Sequence, residues 1–247
     1  MIYITGDCHA DYERFGFSAF PEQREMTKED YVIICGDFGY LGRTREQDYW
    51  LRWLNDRPFT TLWVDGNHEN FDALKEYEPE VWRGGKVQFL RDSVIHLMRG
   101  QLYEIGGRTW FTFGGAGSHD IEDGILDPKD PMFKKKKQIL NRRGARYRIR
   151  HVDWWEEEMP SRAEMEEGLR NLEAAGNAVD YIVTHCAPTG IQSLLPDGEY
   201  VPDSLTDYFE RLREKIRFRN WFFGHYHDNR IIEKRFALLY EQIVRVL

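Results

Sequence analysis

A chain of 247 residues with 41 % hydrophobic and 15 % aromatic content can bury a sizeable core, and no apolar run in it approaches the ~18 residues that a membrane span needs. The formal net charge of −8 is unevenly spread: residues 134–150 hold nine basic side chains and no acid, and setting those nine apart from the 34 Lys and Arg leaves 25 against 42 acids, a remainder of −17. A general nucleic-acid binder needs a broader positive surface than this, so the basic segment reads as a local device for anions on an acidic body.

The chain opens directly on an apolar strand, Ile2-Tyr3-Ile4-Thr5, without a basic leader or cleavage site, and a cytoplasmic protein is expected. That strand runs into Gly6-Asp7-Cys8-His9. A short polar helical stretch near 22–29 precedes Tyr31-Val32-Ile33-Ile34-Cys35, whose apolar run ends abruptly in Gly36-Asp37. Tyr49, Trp50, Trp53 and Leu54 recur at helical spacing and predict a helix over about 45–55 with core-facing aromatics, closed by Pro58. A strand over 60–64 delivers Asp65-Gly66-Asn67-His68 and leads to a helix over about 70–77. Short strands follow at 87–90, 94–97, 101–105 and 108–113, with Gly106-Gly107 as the clearest hairpin turn.

Residues 114–160 show little periodicity and read as long functional loops. Ser161 and Glu164 have capping-box spacing and open a helix to about 175, stopped by Gly176-Asn177. Tyr181-Ile182-Val183-Thr184 then runs into His185, a helix over about 204–215 is capped by Asp203 or Ser204, and Trp221-Phe222-Phe223 runs into Gly224-His225-Tyr226-His227. The tail over 231–246 alternates as short antiparallel strands. Because the strand design recurs at both ends, one domain over 1–247 is expected.

Five apolar runs thus end in Asp, His or Asn. Ligands of open α/β sheets bind outside the carboxyl ends of the strands, so the pattern predicts one polynuclear metal site assembled by five strands. Asp7, His9, Asp37, Asn67, His185, His225 and His227 supply the carboxylate, imidazole and amide donors that hard or borderline divalent ions take. Asp37 is the natural bridge between two ions, and an extended His225-Tyr226-His227 would point both imidazoles the same way. The odd set Cys8, Cys35 and Cys186 argues against a disulfide framework; all three read as small buried residues and not as ligands.

The order of these blocks resembles the calcineurin-like metallophosphoesterases, whose pattern of Gly-Asp-x-His, Gly-Asp, Gly-Asn-His-Asp/Glu, His and Gly-His-x-His stands here as Gly6-Asp7-Cys8-His9, Gly36-Asp37, Gly66-Asn67-His68-Glu69, His185 and Gly224-His225-Tyr226-His227. The resemblance implies a four-layer αββα sandwich of two mixed β-sheets flanked by helices. It implies one metal on Asp7, His9, Asp37 and His227, a second on Asp37, Asn67, His185 and His225, and a His68 that contacts the phosphate or protonates the leaving group. Two departures stand out: Ala10 where the first block usually ends in Gly, and Tyr40 where the second often ends in Asp. Gly114 to Asp120 followed by Trp154-Trp155-Glu156-Glu157 resembles small bacterial and phage members, with about 121–150 as a basic loop insertion.

Of the remaining candidates, His119, Arg148 and Arg150 are placed in the substrate pocket, while His96 reads as structural, His151 as solvated, and Trp154 and Trp155 as buried anchors. Glu69 reads either as support for the site or as a first-turn helix charge. The expected activity is hydrolysis of a phosphomonoester or phosphodiester, nucleotides or oligonucleotides included, by in-line attack of a metal-bridging hydroxide with two divalent transition metal ions (Mn, Fe, Zn or Ni). The alternatives are a Ser/Thr phosphoprotein phosphatase, which the Glu69 form of the third block favours and the loose match over 38–43 disfavours, and a non-catalytic scaffold of the same fold. The basic segment is expected to lie over or beside the site as a lid.

Overall fold

The computed structural model describes residues 1–40, 42, 44–195 and 200–247; Leu41 and Arg43, within the loosely matching 38–43 stretch, lie outside the described residues. In chain order the first strands are β1 (Ile2–Thr5), β2 (Tyr31–Ile34), β3 (Thr60–Trp63), β4 (Glu80–Trp82), β5 (Gly85–Arg91), β6 (Val94–Leu97), β7 (Gln101–Ile105) and β8 (Arg108–Phe113). Then come β9 (Ile125–Leu126), β10 (Arg148–Ile149), β11 (Tyr181–Thr184), β12 (Asn220–Phe223), β13 (Arg230–Ile232), β14 (Phe236–Leu238) and β15 (Val244–Arg245). The helices are α1 (Arg45–Asn55), α2 (Phe71–Leu74), α3 (Phe133–Arg143), α4 (Arg162–Ala174), α5 (Thr189–Gln192) and α6 (Ser204–Lys215).

Two mixed sheets carry the architecture, one of seven strands in the order β15-β1-β2-β3-β6-β5-β4 and one of six in the order β13-β14-β12-β11-β8-β7. Their centres are parallel: β1, β2, β3 and β6 in the first, β8, β11, β12 and β14 in the second. Strands buried on both faces need apolar residues throughout, and alternation decides which core each side chain joins. Ile2, Ile4, Ile33, Leu62 and Val64 meet Trp110, Tyr181, Val183 and Phe222 of the other sheet, forming the core between the two. Val32, Ile34 and Trp63 face the opposite way, against Leu51 and Leu54 of α1. On the far side Phe111, Ile182 and Trp221 pack against Leu172 of α4 and Leu205, Phe209 and Leu212 of α6. Three apolar layers between helix, sheet, sheet and helix make the αββα sandwich.

Several local expectations hold and some do not. The Ser161–Glu164 capping box opens α4, and Asp203 caps α6 by accepting the Leu205 and Thr206 amides. Tyr49 is 54 % exposed and does not face the core as its spacing predicts. The stretch near 22–29 forms only a 3₁₀ turn at Pro21–Glu25, because the Asp30 carboxylate captures the Thr27 amide and hydroxyl and diverts the chain. The helix over 70–77 is cut to the single turn α2 by Gln88 of β5, whose amide takes the Leu74 and Tyr77 carbonyls. The tail is antiparallel at β13–β14 and β15–β1, yet β14 lies parallel to β12.

The largest correction concerns residues 114–160. They are not all loop: the basic run forms α3, closed by Gly144 in a left-handed C-cap and buried at none of its residues, and β9 and β10 pair in parallel beside it. No described helix is long and apolar enough to cross a membrane.

Candidate metal centre

Parallel pairing puts the carboxyl ends of β1, β2, β3, β11 and β12 at one edge, and each continues into a turn that carries a polar residue. Close approach of these turns explains the glycines in the blocks. A Cβ on Gly66 would lie 2.0 Å from Asp37 Oδ1, and one on Gly224 2.0 Å from Asp7 Oδ1. Only hydrogen at those positions lets one turn sit against the carboxylate of the next. His9, Asp37, His225 and His227 all have positive φ, a backbone state that costs roughly 1–3 kcal/mol at each such residue and concentrates at functional sites. His225-Tyr226-His227 is therefore a bend with a left-handed backbone at both histidines and not an extended segment. Instead of pointing its imidazoles one way, it divides them.

The division yields two groups of donors that share Asp37: Asp7, His9, Asp37 and His227 in one, Asp37, His185 and His225 in the other, with the ligand atoms of each within 4.8 Å of one another. In the first, His227 Nε2 stands 3.2 Å from Asp7 Oδ2 and 3.0 Å from His9 Nε2, and His9 Nε2 stands 3.6 Å from Asp37 Oδ2. In the second, His185 Nδ1 lies 2.8 Å from the Cys35 carbonyl, which only accepts, so Nδ1 carries the proton. Its Nε2 stands 3.3 Å from Asp37 Oδ1, a position that a proton fills when no ion is bound and that a cation between the two can take instead. Asn67 Oδ1 and His185 Nε2 are both buried without a hydrogen-bond partner. Buried polar atoms seldom go unpaired, and this pair beside an ionised carboxylate suits divalent ions.

The electrostatics show the same demand. Burial alone would raise the Asp37 carboxyl, but His185, with His68 and His9, holds it far below the usual carboxylate range. Burial would likewise lower His185, and Asp37 instead drives it up to about 10. Burial and the neighbouring His185 and His119 push His225 well below its ordinary value, leaving a neutral ring with a lone pair to give. The cysteines are free and buried, and burial pushes the Cys8 thiol up to about 12, so none competes as a thiolate donor.

A family model described as calcineurin-like phosphoesterase matches residues 1–229. The chain belongs to that family. Membership places it among metal-dependent phosphoric ester hydrolases. It is 24 % identical over 142 residues to lariat debranching enzyme A of Xenopus laevis, covering 51 % of this chain and 26 % of that protein. With the lariat debranching enzyme of Danio rerio it shares 21 % over 208 residues, 77 % of this chain and 31 % of the other, so the alignments span under a third of either relative. A solved structure from Staphylococcus aureus described as a 5'-nucleotidase aligns at 14 % identity and a TM-score of 0.47, over 97 % of this chain and 48 % of that one.

Around the two groups, His68 lies at the rim, its backbone N–H donating to Asp37 Oδ1 at 2.9 Å. Arg148 stands against its ring, with Nη1 3.4 Å from Nδ1 and Nη2 3.3 Å from Nε2, and is itself gripped by Asp120 at 2.6 and 2.8 Å. Burial, abetted by Arg148, keeps His68 below its ordinary value. His119 reaches the centre, its Nε2 2.6 Å from that of His225. Arg150 does not join them: it pairs with Glu156 at 2.5 Å and lies over the Trp154 ring. Trp154 and Trp155 are buried, His96 is held between Gln88 and Asp65, and the exposed His151 is paired with Asp72. Sequence reading missed Asp120, Ser118, Glu158 and Tyr240, whose ring stacks on His227 at 4.6 Å. Asp120 and Ser118 flank His119 and could have been taken with it; nothing in Glu156-Glu157-Glu158 distinguishes the third acid.

Glu69 is no surface helix charge. Asn70 caps α2 after it, and the Glu69 carboxylate is buried, accepting N–H bonds from Phe38, Gly39 and Tyr40 at 2.8, 3.1 and 2.6 Å. It therefore fixes the turn after Asp37 through backbone, which the departure at Tyr40 leaves intact. Glu69→Ala is expected to lower the unfolding free energy by at least about 3 kcal/mol, since each buried N–H left unpaired costs about 1–3 kcal/mol. Urea denaturation measures this, and a loss under about 1 kcal/mol would contradict the anchoring role.

Proposed function

We propose that this chain hydrolyses phosphomonoesters or phosphodiesters with two divalent transition metal ions (Mn, Fe, Zn or Ni), one held by Asp7, His9, Asp37 and His227 and the other by Asp37, Asn67, His185 and His225. The observation that carries the reading is the sharing of Asp37 between two groups of candidate donors. The ions, when bound, lower the pKa of water and neutralise charge on phosphoryl oxygens. The protein's own part is positional. Asp37 and His185 set the donors, His68 meets the leaving-group oxygen, and His119 and Arg148 border the space where the phosphate's substituents lie. Hydrolysis of aryl phosphate mono- and diesters, nucleotides, cyclic nucleotides and phosphopeptides, assayed with each metal, tests the proposal; no metal-dependent turnover on any of them would favour the scaffold alternative. Turnover of phosphopeptides alone would favour the phosphoprotein phosphatase.

The substrate class we favour carries further phosphates, as nucleotides and oligonucleotides do. Supporting this, α3 exposes Lys134, Lys135 and Lys136 and leaves Lys137 half-buried, and the same segment continues through Gly144 to Arg148 beside His68. An acidic body otherwise repels polyanions. Replacing the four lysines by Glu is expected to raise KM for an oligonucleotide several-fold at low salt, with added salt abolishing the difference and a small aryl phosphate hydrolysed as before. Equal kinetics in both proteins would leave α3 a solvated helix.

A further inference from the structure

An amide side chain offers a cation its oxygen and never its nitrogen, so the orientation of Asn67 decides whether it can serve as a ligand at all. What sets that orientation is whatever binds the other end. Asn67 Nδ2 faces Ser118 Oγ at 3.4 Å. Ser118 spends its hydroxyl proton on Glu158 Oε2 at 2.6 Å, while its backbone N–H donates to Glu158 Oε1 at 2.9 Å. With that proton committed, Ser118 Oγ can only accept from Asn67, and Asn67 Oδ1 is left buried and unpaired on the opposite side.

We infer that Ser118 and Glu158 are positioning residues for Asn67, turning its amide oxygen toward the metal centre; the inference rests on the two-ion reading above. The relay is closed back onto the turn after β3 that carries Asn67. Arg99 donates through Nη2 to the Glu157 carbonyl at 2.7 Å and through Nε to Asp65 Oδ2 at 2.8 Å, and Asp65 lies two residues before Asn67 at the end of β3. Asp65, Asn67, Arg99, Ser118 and Glu158 are all at most 8 % exposed, so water does not substitute for any member. Two segments distant in sequence, the loop after β8 and the 3₁₀ turn Glu156–Glu158, thereby fix one donor of the second group.

The test strips metal with a chelator, reloads the full chain with Co²⁺, and follows stoichiometry, the binding isotherm and the d–d absorption of the bound ion. Wild type is expected to take two Co²⁺. Ser118→Ala is expected to keep one at wild-type affinity and weaken the other by about 10–100-fold with a changed spectrum, the usual scale for losing a group that orients a ligand. Ser118→Thr, which retains the hydroxyl, should restore both. Glu158→Gln should behave as Ser118→Ala, because its amide can donate to Ser118 and release the serine proton toward Asn67. Unchanged isotherms and spectra in Ser118→Ala and Glu158→Gln would overturn the inference. Equal weakening of both ions, or a loss that threonine does not restore, would mark a merely structural role and overturn it as well. A wild-type protein that binds fewer than two Co²⁺ would bring down the two-ion reading, and this inference with it.

Discussion

Asp37→Asn is expected to leave a folded protein that no longer holds two ions and has lost at least about 10³-fold in kcat/KM. The substitution preserves volume, and an amide oxygen can still accept the His68 N–H that Asp37 Oδ1 now takes at 2.9 Å, so the turn it organises survives. What disappears is the charge common to both donor groups. Metal ions contribute several kcal/mol of transition-state stabilisation, and each 1.36 kcal/mol is tenfold in rate, which sets the scale of the loss. Elemental analysis after dialysis, with a thermal melt to confirm folding, reads the outcome. If the variant kept two ions at wild-type affinity, the sharing of Asp37 would have no chemical meaning.

His68→Ala should retain both ions and lose about 10²–10⁴ in turnover, the range for a group that transfers a proton in the transition state. Its backbone N–H, which binds Asp37, is untouched by the substitution; only the ring, standing beside His9 at 4.9 Å between centroids and against Arg148, is removed. The loss is expected to shrink steadily as the leaving group becomes more acidic, because a good leaving group needs no proton. A loss equal across a series of aryl phosphates would make His68 a phosphate contact and not an acid.

The sandwich was legible in the sequence because its signal is local. Parallel strands covered on both faces read as unbroken apolar runs, and β1, β2, β3, β11 and β12 each run on into a buried or half-buried polar residue just past the strand end. Capping chemistry is equally local, and Ser161 with Glu164 located α4 correctly. Local signals failed where a distant partner overruled them. Gln88 ended α2 early by capturing its carbonyls, and Asp30 held the 22–29 stretch out of a helix. The basic run hid α3 because a helix with no buried face has no apolar periodicity to show.

The sequence by itself determined the order of the candidate donors: Asp7, His9, Asp37, Asn67, His185, His225 and His227 lie just past strand ends, and the glycines before several of them are required by the approach of neighbouring turns. The tertiary structure decided how those donors are shared and held. Alternation along an extended chain would have aimed His225 and His227 together, whereas the left-handed backbone at each histidine bends the segment and sends one to His185 and the other to Asp7. The grip of Asp120 on Arg148 and the passage from Asn67 through Ser118 to Glu158 join residues 28, 51 and 40 positions apart. No periodicity encodes such contacts. They depend on which strands pair and which turns meet at the edge of the sheets, and a buried polar group finds its partner only once that packing exists.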